Sequence, residues 1–285
     1  MTNTPAIGQH PSAINRSIAS LEANANNTII VHYTCSDLSK SPTRVTSIGL
    51  LLRSDGETRI FSIKKEAEMA GAGGRLTENQ KNLFEKAMLK RFYRFVRLNQ
   101  NAMWVHWSMK DSTFGFAAID HRYRVLGGVK PSVVLNERRI DLSVLVKQLY
   151  LPKFEPTVRP KGKLLAIAEN NGLSVINGVS GKSEANLFDA GNFQLLEQSL
   201  ICKVNSISSI LDLTIMEVQN RNAVSSPVRG FSLRNLLTGW IKWIVFASLA
   251  VIGFFVKHRL EALVQKPWPE LGKTWDAFST LLNTL

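Results

Sequence analysis

Residues 28–34, TIIVHYT, followed by 44–54, RVTSIGLLLRS, and 57–63, ETRIFSI, decide how this chain is read. The first is a short, continuous apolar run rich in β-branched residues, the pattern of a strand buried on both faces. The second and third flank Asp55-Gly56, a pair that supplies the positive φ of a tight hairpin turn. Working outward, 77–98 opens with Thr77 and Gln80 in capping-box spacing and carries Leu83, Phe84, Ala87, Met88, Phe92, Phe95 and Leu98 on one side, which predicts a long amphipathic helix. An apolar strand at 102–106, a helix from about 112 to 126, a strand-to-helix passage at 139–149, a helix at 162–171 and a long helix from 183 to about 219 complete the series. Antiparallel strands leading and crossover helices following describe an α/β fold, a mixed sheet flanked by helices.

With 285 residues, the chain has room for one generous domain, or for one ordinary domain and an appendage. An apolar content of 45% excludes disorder throughout, and two cysteines, Cys35 and Cys202, exclude a disulfide framework and a four-cysteine zinc site. A reducing compartment is expected. Residues 1–27 are rich in Asn, Ser, Thr and Ala, lack the apolar core of a secretory signal, and are expected to form a flexible N-terminal segment. The breaker SSPVRGF at 225–231 places the domain at 28–220 and a linker at 221–235. Thirty-five Lys and Arg against 22 Asp and Glu give a charge of +13, a field that draws polyanions, either nucleic acid or anionic lipid.

Residues 236–256 read LLTGWIKWIVFASLAVIGFFV, with Lys242 the single charge in the run. That length matches the ~20 residues a helix needs to cross a bilayer. Lys242 sits near enough to one end to snorkel, Trp240 and Trp243 suit the interfacial belt, and Lys257 begins the charged stop. A single transmembrane helix is expected at 236–257, the alternative being a buried core helix. The expected placement is the inner (cytoplasmic) membrane, single-pass, with the N-terminal domain cytoplasmic. In the tail, 258–285, Trp268, Leu271, Trp275, Phe278, Leu282 and Leu285 recur at steps of three and four, as in an amphipathic interfacial helix or a segment packed on a partner. One span with one lysine lines no pore by itself, so membrane damage would require a homo-oligomer, with Ala247, Ser248, Ala250 and Gly253 as small contact residues.

Several words in the first domain, in their order, carry a resemblance. Val31-His32-Tyr33-Thr34 is followed by Ser47-Ile48-Gly49; His106 and Asp111 lie five apart; Ile140-Asp141-Leu142-Ser143 precedes Leu164-Leu165-Ala166; and Glu184-Ala185-Asn186-Leu187-Phe188-Asp189-Ala190 opens the last helix. Over roughly 28–205 this resembles the DEDD-type 3′-to-5′ exonucleases, the proofreading branch of the RNase H-like fold. The resemblance implies an exonuclease-type mixed sheet and a site at His32, Thr34, His106, Asp111, Glu184 and Asp189. Members of that family hold two divalent metals with four carboxylates. Here His32 and Thr34 stand where the first-strand acids belong, and neither is the hard oxygen anion that Mg²⁺ prefers. The expectation is a domain that keeps the fold for binding and has lost hydrolysis, with no metal and no cofactor. Mg²⁺ or Mn²⁺ enters only if an active nuclease survives on a non-standard site.

Charge offers a binding surface independently. Lys86, Lys90, Arg94 and Arg97 recur at steps of four, four and three along the 77–98 helix; Lys153, Arg159, Lys161 and Lys163 punctuate a proline-containing loop; and Lys110, Arg122 and Arg124 add to them. Tyr93, Trp107, Phe114 and Tyr123 offer ring faces for bases. A single strand of DNA or RNA fits this set, and for the helix stripe so does an anionic lipid surface. Residues 178–183, GVSGKS, look like a phosphate loop, but the position of its first glycine is Ile176, so a nucleotide loop of that kind is set aside.

Three functions fit. The first is a membrane-anchored, catalytically inactive exonuclease-fold protein that binds nucleic acid or a nucleoprotein and acts through its span. It resembles the effectors of bacterial antiphage abortive-infection systems, including those encoded beside retron reverse transcriptases, which implies a toxic, membrane-disrupting output. The second is an anchored metal-dependent nuclease, and the third a membrane scaffold that binds only protein. On the first reading, deleting residues 236–256 abolishes growth arrest on induction in cells; undiminished arrest by the shortened chain contradicts it.

Overall fold

A computed structural model of the protein describes residues 13–39, 41–109, 113–150 and 160–225. The chain divides into two units, Met1–Asn220 and Arg221–Leu285, and the fold below is that of the first. Its strands are β1 (Thr28–Cys35), β2 (Val45–Leu52), β3 (Thr58–Ser62), β4 (Met103–His106) and β5 (Arg139–Asp141). Its helices are α1 (Ala13–Ala23), α2 (Ile63–Met69), α3 (Glu78–Leu98), α4 (Phe116–Val125), α5 (Leu142–Tyr150), α6 (Lys163–Asn170), α7 (Gly181–Asp189) and α8 (Phe193–Ser225).

The strands form one sheet in the order β3-β2-β1-β4-β5, with β2 antiparallel to its neighbours and β4 and β5 running parallel to β1. Central β1 is buried on both faces, as its apolar run requires. Ile29, Val31 and Tyr33 turn to one side, where Phe84, Met88, Phe92 and Val96 of α3 and Ile119 of α4 cover them. Ile30 turns to the other, against α1, α5, α6 and α8. The hairpin closes at Gly56 (φ 74°), with the Asp55 carboxylate accepting from the Glu57 amide at 2.9 Å. Thr77 and Gln80 make the reciprocal capping box at the start of α3.

A buried ion network fixes α3 to the sheet. Glu85, fully buried in α3, accepts two bonds from the Arg122 guanidinium of α4, at 2.9 and 2.7 Å, one from Arg44 at 3.3 Å and one from the Val45 amide at 2.8 Å. Bidentate geometry and a saturated carboxylate are what make a buried charge tolerable. Arg122, 8% exposed, is therefore removed from the expected nucleic-acid surface.

Three further expectations are corrected. Residues 1–27 are not uniformly flexible: α1 lies within them and buries Ile18 and Leu21, an i, i+3 apolar pair diluted by polar neighbours. The long helix expected from 183 to 219 is two helices, because Gly191 (φ 73°) ends α7 in the left-handed conformation and the Asn192 amide bonds back to the Leu187 carbonyl. The helix expected from about 112 begins at Phe116. Among the described residues, one segment, Phe193–Arg221 of α8, is long and apolar enough to cross a membrane, with mean hydropathy 1.3. Half of its most apolar window is buried in this domain, where Val204, Ile207, Ile210 and Leu211 pack on the sheet, so it is a core helix by its contacts. The expected span at 236–257, with Trp240, Lys242, Trp243, Gly253 and Lys257, lies outside the described residues, as does the 258–285 tail.

Close packing of α8 depends on one glycine. Gly49 of β2 lies opposite His32 of β1, and a Cβ there would stand 2.8 Å from Cγ of Leu200 in α8. Gly49→Ala is expected to lower stability by about 1–3 kcal/mol in thermal or urea unfolding, by overpacking. The penalty should shrink in a Leu200→Ala background; an equal penalty in both backgrounds contradicts the assignment.

Candidate functional site

A cavity of about 650 Å³ opens at the C-terminal end of β1. His32, Thr34 and Cys35 of that strand line it, together with the first residues of α6 and α7, Lys203 of α8, and the rings of Trp107 and Phe114. The Gly49–Leu200 contact sets how near α8 comes, and Lys203 follows Leu200 by one helical turn on the same side.

Lys203 forms a buried ion pair with Glu184 of α7, Nζ to Oε2 at 2.5 Å, with the two side chains 8% and 3% exposed. The Ser199 hydroxyl donates to the other Glu184 oxygen at 2.7 Å and accepts from the Val179 amide at 3.1 Å. Glu184 thus has an ammonium and a hydroxyl on its two oxygens, and α7 is tied to α8. Beside this pair, His32 is 7% exposed, and its Nδ1 is buried with no hydrogen-bond partner among the described residues. Burial holds its pKa down at about 3, with the charges of Lys203 and His106 adding to the depression. The Thr34 hydroxyl shares a hydrogen bond with the Thr46 hydroxyl of β2, at 2.7 Å. The Cys35 thiol is pushed up to about 11, first by burial and then by the Glu184 charge, so it is protonated at neutral pH and is no activated nucleophile.

The other expected site residues fall elsewhere. His106 pairs in register with Val31, which places it on the opposite face of the sheet from His32, and its Nδ1 accepts from the Met109 amide at 3.3 Å. Its ring meets Phe116 edge-on, the arrangement of a structural histidine. Asp189, at the end of α7, borders a separate hollow with Arg75, Lys81 and Phe193. Lys110, Asp111 and Arg159 lie outside the described residues. Asp141 binds the end of β4 to α5: one of its oxygens accepts from the Ser108 amide at 3.1 Å and from the amide and hydroxyl of Ser143 at 3.0 and 2.6 Å.

The basic residues divide into two groups. Lys90, Arg94 and Arg97 are exposed along α3, Lys86 is half-buried beside them, and none of the four lines the cavity. Arg124 is exposed at the end of α4. Lys161 and Lys163 line the cavity, joined by Lys182 of the GVSGKS word set aside above and by Lys203, which has no basic neighbour in sequence to mark it. Of the four rings expected to meet bases, Tyr93 and Tyr123 are core residues, Tyr93 hydrogen-bonded to Asp120, whereas Trp107 and Phe114 reach the cavity. Phe114 stacks on Tyr33 at 4.4 Å, and the Tyr33 hydroxyl accepts from the Gly115 amide at 3.0 Å.

The donor chemistry does not fit a pair of hard divalent ions. A neutral imidazole, a threonine hydroxyl bonded to another threonine, a Glu184 carboxylate neutralised by lysine and the Asp37 carboxylate, one oxygen of which accepts from the amide and hydroxyl of Ser39 at 2.9 and 2.7 Å, offer no oxygen-rich cage. No group of three or more His, Cys, Asp and Glu able to hold a metal ion occurs among the described residues. No protein-family model matches the chain, and no curated protein matches it.

Two outcomes follow. Glu184→Gln leaves the Lys203 ammonium uncompensated and is expected to cost about 3–5 kcal/mol in urea unfolding, with Lys203→Met similarly costly and the double variant far below the sum; additive penalties contradict the pairing. Because the folded chain disfavours a proton on His32 until about pH 3 while the unfolded imidazole accepts one near 6.5, stability is unaffected by this group above pH 6.5 and falls as the pH drops toward 3. The slope is up to about 1.4 kcal/mol per pH unit. His32→Gln should flatten the curve between pH 6.5 and 4.5, and an unchanged slope contradicts the burial of a neutral imidazole.

Proposed function

We propose that this chain is a membrane-anchored binding protein, whose RNase H-like, exonuclease-type domain has lost hydrolysis and engages single-stranded DNA or RNA, alone or within a nucleoprotein. The observation that carries the reading is the Glu184–Lys203 pair in the cavity at the end of β1, beside His32 and Thr34. The resemblance to the exonucleases would put two of the carboxylates that grip catalytic metals at His32 and Thr34, beside that pair. The Lys203 ammonium takes up the Glu184 carboxylate, while Lys163 and Lys182 leave positive charge at the cavity, so binding outlives cleavage.

The sheet order β3-β2-β1-β4-β5, with an antiparallel leading hairpin and parallel strands added by helical crossovers, supports the RNase H-like reading. The exposed part of the α3 stripe, with the +13 charge of the chain, supports contact with a polyanion. Residues 236–257 then give the output: the span holds the domain at the inner membrane, and oligomers of it breach the bilayer when a bound partner releases the domain, as in an abortive-infection effector.

The test uses the full chain in lipid nanodiscs with end-labelled single-stranded DNA and RNA in Mn²⁺, resolved on native and denaturing gels. The expected result is a shifted complex containing an intact strand. Shortening that disappears in Asp111→Asn establishes the nuclease reading instead, and no shift with either nucleic acid leaves the protein-binding scaffold.

A further inference from the structure

The cavity has a chemistry more specific than general basicity. Four lysines, Lys161, Lys163, Lys182 and Lys203, line it together with two carboxylates, Asp37 and Glu184. The formal excess is two positive charges, which matches the charge of −1.5 to −2 of a phosphate monoester at pH 7 better than the single charge of a diester. Glu184 and Lys203 neutralise each other, and Lys161 donates to the Val175 carbonyl at 3.1 Å. Lys163 and Lys182, exposed at the rim, are the residues placed to meet an incoming anion.

Both rim lysines sit at the start of a helix. Lys163 is the first residue of α6, whose N-cap is Gly162, with no side chain to satisfy the first-turn amides. Lys182 is the second residue of α7, which begins in the GVSGKS word. That word lacks the turn of a phosphate loop because of Ile176, yet it delivers its Gly181-Lys182 pair to the cavity wall. The first turns of two helices thus line one space, that of α6 without a side-chain cap and that of α7 capped by the Ser180 hydroxyl, which accepts from the Ser183 amide at 3.1 Å.

The independent observation is His32. His32 lines the cavity, and its Nδ1 is buried with no hydrogen-bond partner among the described residues, a deficit that a bound acceptor would remove. A neutral imidazole protonated at Nδ1 donates one hydrogen bond, and a phosphate oxygen accepts it. Trp107 and Phe114 add ring surface, and ~300–1,000 Å³ is the ordinary size of a small-molecule pocket. The volume of about 650 Å³ admits one nucleotide and excludes a duplex.

We infer that this cavity is a metal-independent site for the phosphate monoester of a nucleotide, with the phosphate between the first turns of α6 and α7, contacted by Lys163, Lys182 and His32, and the base against Phe114 and Trp107. The inference rests on the proposed nucleic-acid reading and narrows it. Two sources present this group, a free nucleoside monophosphate and the phosphorylated end of a strand.

The experiment measures fluorescence anisotropy of full-length protein in nanodiscs, in EDTA, with internally labelled single-stranded octamers bearing a 5′-phosphate, a 3′-phosphate or hydroxyls at both ends. Competitors are unlabelled nucleoside monophosphate and inorganic phosphate. A phosphorylated end is expected to tighten binding by about tenfold, through charge-assisted hydrogen bonds, and Lys163→Gln/Lys182→Gln, at two exposed positions, should erase that difference by weakening the phosphorylated octamers more than the hydroxyl-ended one. Displacement of the phosphorylated octamer by micromolar nucleoside monophosphate assigns the site to the free nucleotide; displacement only by phosphorylated strand assigns it to a strand end. Equal affinity for phosphorylated and hydroxyl-ended octamers, with no displacement by monophosphate, overturns the inference while leaving strand binding intact. Absence of binding by every octamer and by the monophosphate overturns both.

Discussion

The contact on which the site depends is the buried ion pair between Glu184 and Lys203. Removing two charges from water costs several kcal/mol per ion, and their attraction recovers it only with good geometry and further hydrogen bonds. Here the Ser199 hydroxyl supplies one such bond and is itself held by the Val179 amide. The pair can form because α8 lies close against the sheet, and α8 lies close because Gly49 has no Cβ to meet Leu200. A glycine in the second strand, a leucine on the last helix and the lysine one turn later are thus a single device. Its effect is to seat a fixed positive charge against the only carboxylate that α7 contributes to the wall of the cavity.

That device decides the chemistry. Two-metal hydrolysis needs several anionic oxygens converging on one volume, so that cations bind and water is activated. Around the end of β1 the strand instead offers His32, kept neutral by burial, and Thr34, bonded to Thr46. On the proposed reading, a site with lysines at two helix starts and a neutral histidine holds an oxyanion without polarising water for attack. The exposed basic residues of α3 form a second surface that does not line this cavity, so on the proposed reading end recognition and general attraction to polyanions belong to different parts of the domain.

Much of the framework was legible in the sequence because it rests on local signals. The apolar run of β1, the Asp55-Gly56 turn and the Thr77–Gln80 capping box each depend on a few adjacent residues, and each is found where the pattern places it. What was not legible depends on partners far along the chain. Arg122 reads as a surface cation until Glu85, 37 positions away, is seen to take it into the core. Lys203 sits in an apolar helix with no basic neighbours, and only the fold brings it to Glu184. Asp189 and His106 have the right spacing and the wrong faces, since spacing fixes position along a strand or helix but not which cavity the element borders. The split at Gly191 and the helix within 13–23 were hidden for a different reason, a composition that dilutes a short apolar stripe.

The central claim is that the cavity at the end of β1 holds a nucleotide phosphate without a metal. A crystal structure of the protein with a 5′-phosphorylated dinucleotide, grown in EDTA, tests it most directly. The account predicts density for the phosphate within hydrogen-bonding distance of Lys163 Nζ, Lys182 Nζ and His32 Nδ1, with the Glu184–Lys203 pair intact. A parallel crystal in Mn²⁺ showing a metal ion on Glu184, with Lys203 displaced and the phosphodiester aligned on it, would contradict the account and restore the domain to the working nucleases.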